Sequence, residues 1–170
     1  PIPKSAIELD KFADSGIEAF TYEGVLYGVP YALESQALFY NRDYINDNEV
    51  PTNIDELKKL AKQFTTPDTA GFLFSAGELY YSYSFISALG GYVFKHDPRT
   101  GYDVSDIGLN NEGAIKAVYL IKSFFDEGIL PYGVDYNIVD SMFLDGLAAM
   151  VINGPWAVKA YLDAGIDFGI

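Results

Sequence analysis

The chain has 170 residues and a formal net charge of −13, from 24 acidic and 11 basic side chains. Hydrophobic residues make up 49% of it, a composition typical of a globular domain rather than a disordered segment. The negative charge disfavours nucleic acid and anionic membranes as partners, because phosphate contacts need clustered Lys and Arg, and the absence of cysteine excludes disulfides and cysteine-based zinc sites.

The first 45 residues predict a helix, a hairpin and a strand. The stretch SAIELDKFADSG predicts a short helix with Ile7, Phe12 and Ala13 available to face inward. The stretch EAFTYEGVLYGVPYA alternates in polarity around Glu23-Gly24, which is a hairpin signal. QALFYNRDYI then predicts a strand that runs into a turn.

The stretch VPTNIDELKKLAKQF predicts an amphipathic helix. Thr52 is the predicted N-cap, with Asp55 three residues later in the place of a capping-box acid. The stripe predicted to face the core consists of Ile54, Leu57, Leu60, Ala61 and Phe64.

Three further segments follow. AGFLFSA has no polar alternation, so it predicts a strand buried on both faces. GELYYSYSFISALGG predicts a helix from about Glu78 to Gly90. GYVFKHDPRTGYDV predicts an extended excursion with a turn at Pro98–Gly101.

The helix signal is strongest in LNNEGAIKAVYLIKSFFDEG, with Asn110 or Asn111 as N-cap and Gly128 at its end. DYNIVDSMFLDG predicts another short helix. The inner face predicted for the longer helix consists of Ala114, Ala117, Val118, Ile121, Phe124 and Phe125.

In the last segment, the only tryptophan lies at the junction between a predicted strand and a predicted helix. LAAMVI predicts a buried strand, and WAVKAYLDAG predicts a helix with Gly165 near its end. Pro155 suits the first helical position, where its missing N–H costs nothing. IDFGI predicts a closing strand. Strands alternating with helices indicate an α/β fold with a central sheet between helices, in which ligands bind at the carboxyl ends of strands.

Catalytic signatures are scarce. The only histidine, His96, lies beside a turn and favours a surface or structural role. Asp97, Asp103 and Asp106 resemble calcium ligands in type, but their spacing fits no EF-hand loop and favours solvated carboxylates. No nucleophile elbow, zinc-protease, Walker A or dinucleotide motif is found in the sequence, and no cofactor or metal site is predicted.

Two glutamates and many aromatic residues suggest a carbohydrate site. Glu34 lies between apolar stretches, and Glu78 opens the LYYSY helix start. Glu34 could equally be a solvated loop residue, and Glu78 could equally stabilise the helix N-terminus. The chain has 14 Tyr, 12 Phe and one Trp, which either fill the core or offer the apolar ring and polar tip that sugars need.

Four segments resemble the maltose/maltodextrin-binding proteins, which belong to the extracellular solute-binding proteins of bacterial ABC importers. They are YEGVLYGVPYALESQALFYNRD, GGYVFKHDPRTGYDVSDIGLNNEGA, DYNIVDSMFLDGLAAMVINGPWAV and IDFGI. The resemblance implies a three-layer α/β lobe of the type II periplasmic-binding-protein-like fold, with a central mixed sheet flanked by helices. It implies that residues 1–33 end a first-lobe segment and approach the hinge, and that residues 34–170 form an incomplete second lobe.

The resemblance also assigns ligand-binding residues. Glu34 matches the cleft glutamate of the P-x-A-x-E pattern, Tyr136 the tyrosine of the D-Y pair, and Trp156 the tryptophan of NGPW. Glu78, Tyr80 and Tyr81 match the E-P-Y-F cleft turn, in which Leu79 replaces proline and Tyr81 replaces phenylalanine.

The function implied is binding without catalysis of maltose, maltotriose or longer maltodextrin, for delivery to the membrane subunits of the transporter. The implied location is periplasmic, or extracellular with a lipid anchor. The chain begins without a signal peptide, so we expect a fragment whose partner is the remaining lobe, with weak sugar binding and a possible non-native dimer. Two alternatives stay open: a glycoside hydrolase that uses Glu34 and Glu78, and a binder of a different oligosaccharide.

Overall fold

The computed structural model describes residues 1–97 and 99–170. Its helices are α1 (Asp14–Ala19), α2 (Ile54–Phe64), α3 (Leu79–Ala88), α4 (Glu112–Asp126), α5 (Tyr136–Leu144) and α6 (Val158–Asp163). Its strands are β1 (Thr21–Tyr22), β2 (Val25–Leu26), β3 (Ala37–Asn41), β4 (Lys95–Asp97), β5 (Gly101–Asp103), β6 (Met150–Asn153) and β7 (Phe168–Gly169). None of the helices in these two ranges is both long and apolar enough to cross a membrane.

The chain divides into two compact units. Unit 1 comprises residues 1–34 and 92–109, and unit 2 comprises residues 35–91 and 110–170. Unit 1 contains two antiparallel pairs, β1 with β2 and β4 with β5. The predicted hairpin is confirmed, since Glu23 and Gly24 both take positive φ (47° and 77°) between β1 and β2, the geometry of a tight hairpin turn.

Unit 2 is built on a small mixed sheet. β3 lies between β6 and β7 and pairs antiparallel with both, with Ala37 opposite Asn153 and Tyr40 opposite Gly169. The segment predicted as a strand buried on both faces, around 70–75, is buried, and isolated parallel bridges pair Leu73 with Val151 of β6 and Ala70 with Ala148 just before it. The predicted α/β class is confirmed, because helices flank this sheet.

The hydrophobic core lies in unit 2 and is rich in aromatic rings. Phe124 of α4 is fully buried and packs against Phe72, Phe74 and Phe85, with centroid distances of 5.6, 6.1 and 5.8 Å. The predicted α2 stripe is confirmed, since each of its members is in the core or packs against it. Much of the aromatic content therefore serves packing rather than ligand binding.

Two predictions were wrong in detail. The helix expected over residues 5–16 is replaced by two 3₁₀ turns, Lys4–Ala6 and Leu9–Lys11, followed by α1. Ile7 and Phe12 take extended backbone angles at the ends of those turns, because two isolated apolar residues are too few to offset the cost of starting a helix. Val118 is 59% exposed, since the inward face of α4 is narrower than its apolar sequence suggests.

The predicted cap of α2 was wrong by one residue. Asn53, not Thr52, is the N-cap, and its side chain accepts a hydrogen bond from the Glu56 N–H at 2.9 Å. Thr52 instead donates its N–H and hydroxyl to the Glu56 carboxylate. For α4, the structure selects Asn111 over Asn110 as the cap, through a bond from the Ala114 N–H. The turn expected at Pro98–Gly101 begins on a residue outside the described ranges.

Candidate functional site

Four of the predicted ligand residues meet in unit 2 as one group, which we call the aromatic cluster: Tyr80, Tyr81, Tyr136 and Trp156. Tyr81 stacks on Tyr136 with ring centroids 5.9 Å apart and planes 18° apart. Tyr80 contacts both Tyr81 (5.2 Å, edge-on) and Trp156 (6.1 Å). The Trp156 Nε1–H donates to the Tyr136 hydroxyl at 3.2 Å. Each of the four residues therefore contacts two others of the cluster.

Short-range sequence features place each ring. The α3 helix begins at Leu79, so the consecutive Tyr80 and Tyr81 point about 100° apart. Tyr80 is 52% exposed, whereas Tyr81 is only 6% exposed. Asp135 caps α5 through the Ile138 N–H, which fixes Tyr136 in the first turn of that helix. The cluster therefore has a buried ring, Tyr81, stacked on the half-buried Tyr136, beside the accessible Tyr80.

Trp156 lies in the 3₁₀ turn Pro155–Ala157, between β6 and α6. The predicted position of Pro155 at the start of the helical segment is confirmed. The indole lies directly over Gly154, because a Cβ built on Gly154 would overlap the ring atoms Cη2 and Cζ3. Trp156 itself is half-buried, so part of the ring stays accessible.

Glu78 stands beside the cluster at the N-terminus of α3. It occupies the N-cap position, yet its side chain makes no capping hydrogen bond. Its Oε1 instead accepts the hydroxyl of the buried Ser75 at 2.7 Å, which orients the exposed carboxylate. An oriented, exposed carboxylate can accept charge-assisted hydrogen bonds from ligand hydroxyls.

Glu34 is the sixth predicted ligand residue and belongs to unit 1. It is exposed and is the last residue of that unit before the chain enters unit 2 at Ser35. The structure therefore brings together five of the six predicted residues within unit 2, and Glu34 belongs to unit 1.

The electrostatics around the cluster keep Tyr81 neutral. Burial, with smaller contributions from the neighbouring Tyr136 and Glu78, raises the pKa of Tyr81 to about 12. The phenol therefore remains protonated at ordinary pH.

The structure adds neighbours that sequence reasoning missed. Gln36 donates from Nε2 to the Tyr80 carbonyl at 2.7 Å, across 44 residues of sequence. Asp140 lies one helical turn after Tyr136, and its charge contributes to the raised pKa of Tyr81. The i, i+4 spacing of Tyr136 and Asp140 was the one signal in the sequence that could have found Asp140.

The remaining candidates have local partners in unit 1. The His96 imidazole is 2.7 Å from the Glu18 carboxylate and packs on Tyr102. Asp103 accepts from Ser105, and Asp106 accepts from the Tyr92 hydroxyl. No group of three or more His, Asp or Glu side chains within residues 1–97 and 99–170 is arranged to hold a metal ion.

Comparison with known proteins identifies a family. The sequence-family model of the bacterial extracellular solute-binding proteins matches residues 1–170. The chain belongs to this family. The predicted resemblance is thereby confirmed, and the family's relatives are solute-binding proteins rather than enzymes.

Individual relatives are named for oligosaccharides. The chain is 39% identical to the galactooligosaccharide-binding protein of Bacillus subtilis (strain 168), over 94% of this chain and 39% of that protein. It is 34% identical to the maltodextrin-binding protein MdxE of the same organism, over 93% and 39%. The chain thus spans about two fifths of the length of these relatives.

A solved structure supports the same fold. The Thermus thermophilus maltotriose-binding protein, bound with maltotriose, superposes with a TM-score of 0.84 and is 39% identical. The match covers 95% of this chain and 43% of that one.

Proposed function

We propose that this chain forms part of an oligosaccharide-binding protein of an ABC importer, and that its ligands are malto-oligosaccharides. The observation that carries the proposal is the convergence of Tyr80, Tyr81, Tyr136 and Trp156 in one cluster beside the oriented carboxylate of Glu78. Names of relatives that mention maltodextrin and maltotriose support the choice of sugar.

The chemistry of the cluster suits a pyranose. The accessible rings of Tyr80 and Trp156 offer apolar faces to the C–H face of a sugar, where dispersion and release of water favour binding. Glu78 accepts hydrogen bonds from hydroxyls at the polar rim of the sugar. Glu34, in unit 1, stays a proposed ligand residue on the family resemblance of its own segment. A few polar groups among aromatic rings are what a small-molecule site requires.

The role proposed is binding and delivery, without catalysis. The partners are the membrane subunits of the transporter, and the place of action is the periplasm or the outer face of the cell through a lipid anchor. Residues 1–33 belong to a first-lobe segment and residues 34–170 to a second lobe, with the rest of the two-lobed protein as the partner that completes the site.

Galactooligosaccharides are the second candidate ligand, because the galactooligosaccharide-binding relative has 39% identity, against 34% for MdxE. The proposed aromatic and carboxylate contacts are compatible with either class of sugar. The experiment must therefore distinguish which of these two classes of oligosaccharide the chain binds.

The test uses Trp156, the only tryptophan of the chain. The 170-residue chain is titrated to millimolar concentration with maltotriose, β-linked galactotriose, cellotriose and xylotriose, while the Trp156 emission is followed. We expect a saturable change with maltotriose alone. Saturation with galactotriose instead would transfer the assignment to that class, and no change with any sugar would contradict an oligosaccharide site on this chain.

A matched pair of variants checks the carboxylate. We expect Glu78→Gln to weaken maltotriose binding about ten-fold, as befits loss of a charge-assisted hydrogen bond. Glu112→Gln also neutralises a glutamate at a helix start, in α4, and should leave binding unchanged. A reducing-sugar assay on maltotetraose accompanies both, and glucose release that Glu78→Gln abolishes would favour the hydrolase alternative.

A further inference from the structure

A buried polar group lies beneath the aromatic cluster, where β6 ends. We call it the Asn153 bracket: Asn153, Asp140 and Tyr161. Asn153 is fully buried, and its Nδ2 donates to the Tyr161 hydroxyl at 2.6 Å and to the Asp140 Oδ1 at 3.2 Å. Its Oδ1 accepts the Gly154 N–H at 2.9 Å. Both polar atoms of the amide are therefore used.

Such a group has an energetic cost that calls for an explanation. Burying an amide is unfavourable unless its hydrogen bonds are all replaced, and an apolar side chain would avoid that cost. Fully satisfied polar networks instead stiffen their surroundings and select one arrangement. This network can fix the orientation of Trp156, which lies three positions after Asn153 in the chain.

Trp156 is attached to the rest of unit 2 at two points. Its indole N–H donates to Tyr136 on α5. Its backbone follows directly from Gly154, whose N–H is held by Asn153. Asp140 lies one turn after Tyr136 on the same face of α5 and accepts from Asn153, so it ties the two attachment points together.

Tyr161 connects the Asn153 bracket to the hydrophobic core. Its ring is fully buried against Phe39, Phe143 and Phe168. Burial raises the pKa of Tyr161 far above its ordinary range, and the nearby charge of Asp140 acts in the same direction. The hydroxyl therefore keeps its proton while it accepts from Asn153 at 2.6 Å.

We propose that the Asn153 bracket consists of positioning residues that fix the angle of the Trp156 ring for stacking on a carbohydrate. The inference rests on the proposed sugar-binding function, and it adds residues to which that function has assigned no role. Asp140 and Tyr161 act through Asn153 and Gly154 and through Tyr136, without touching the ligand.

The test compares substitutions in the 170-residue chain. Asp140→Ala removes the tie between α5 and β6, Asp140→Asn keeps an oxygen that can accept from Asn153, and Tyr161→Phe removes only a hydroxyl. The controls are Asp145→Ala, an exposed carboxylate at the end of α5, and Tyr44→Phe, whose hydroxyl donates to the Gly146 carbonyl instead. The measurements are Trp156 emission and acrylamide quenching without sugar, maltotriose affinity and melting temperature.

We expect Asp140→Ala and Tyr161→Phe to shift the emission, to raise the quenching and to weaken maltotriose binding about ten-fold, while Asp140→Asn stays within about three-fold of the unsubstituted chain. Both controls should leave emission, quenching and affinity unchanged. If Asp140→Ala does not fold, Tyr161→Phe carries the same expectation, because its ring packing is retained.

A fall in melting temperature with unchanged Trp156 emission, quenching and affinity would overturn the proposal, since it would leave the bracket a purely structural role. Failure of the proposed function has a different signature. If the unsubstituted chain binds no sugar, the emission and quenching measurements still decide whether the bracket positions Trp156.

Discussion

At the scale of single residues, Gly154 has the sharpest steric role. Its φ of −128° is open to any residue, so no backbone strain explains a glycine there. The reason is the indole of Trp156, which occupies the space that a Cβ would take. Glycine thus allows the ring to lie in close contact with the backbone at the end of β6.

We therefore expect Gly154→Ala to displace the Trp156 ring. The crowding should lower the free energy of unfolding by about 1–3 kcal/mol, as overpacking of a well-packed site does. Trp156 emission should shift, and any maltotriose response should weaken. Equilibrium urea unfolding and fluorescence measure these effects.

Gly77→Ala is the control for that substitution, because a Cβ at Gly77 has no heavy atom within 4 Å. It should leave both the unfolding midpoint and the Trp156 emission in place. An unchanged emission spectrum in Gly154→Ala would contradict the close packing of ring on backbone.

At the scale of elements, sequence patterns predicted most helices and strands because their signals are local. The Glu23-Gly24 turn, the α4 helix and Pro155 at the strand–helix junction each depend on neighbours within a few residues. The α2 cap was missed by one residue because Thr52 and Asn53 are both good capping residues. Only the geometry shows which oxygen faces the free N–H groups.

The candidate site was predictable only in part, for a related reason. The four aromatic residues were predicted from family resemblance, not from any local pattern. Their mutual contacts join α3, α5 and the 3₁₀ turn after β6, which no spacing rule connects. The Asn153 bracket escaped prediction because residues 140, 153 and 161 converge only after the chain has folded.

The cap of α2 provides a test of the corrected assignment. Asn53→Ala removes the side-chain acceptor for the Glu56 N–H and should cost about 1 kcal/mol of unfolding free energy. Thr52→Ala removes only an exposed hydroxyl bond to Glu56 and should cost less. Chemical denaturation of both variants compares them, and a larger loss for Thr52→Ala would restore Thr52 as the cap.

At the scale of the whole molecule, the two units differ in what they bury. The aromatic core lies entirely in unit 2. Among the described residues of unit 1, Leu26 is the only buried side chain other than glycine. Since local stability follows buried apolar contact, the two units should open at different free energies.

Two helices of equal length make this difference measurable. α1 in unit 1 and α6 in unit 2 each have six residues, so their end effects are matched. α6 buries Tyr161 completely in the core, whereas α1 buries only Gly16. Native-state hydrogen exchange on the 170-residue chain should therefore show fast exchange in α1 and strong protection in α6. Equal protection would mean that unit 1 draws its stability from contacts other than its own buried side chains.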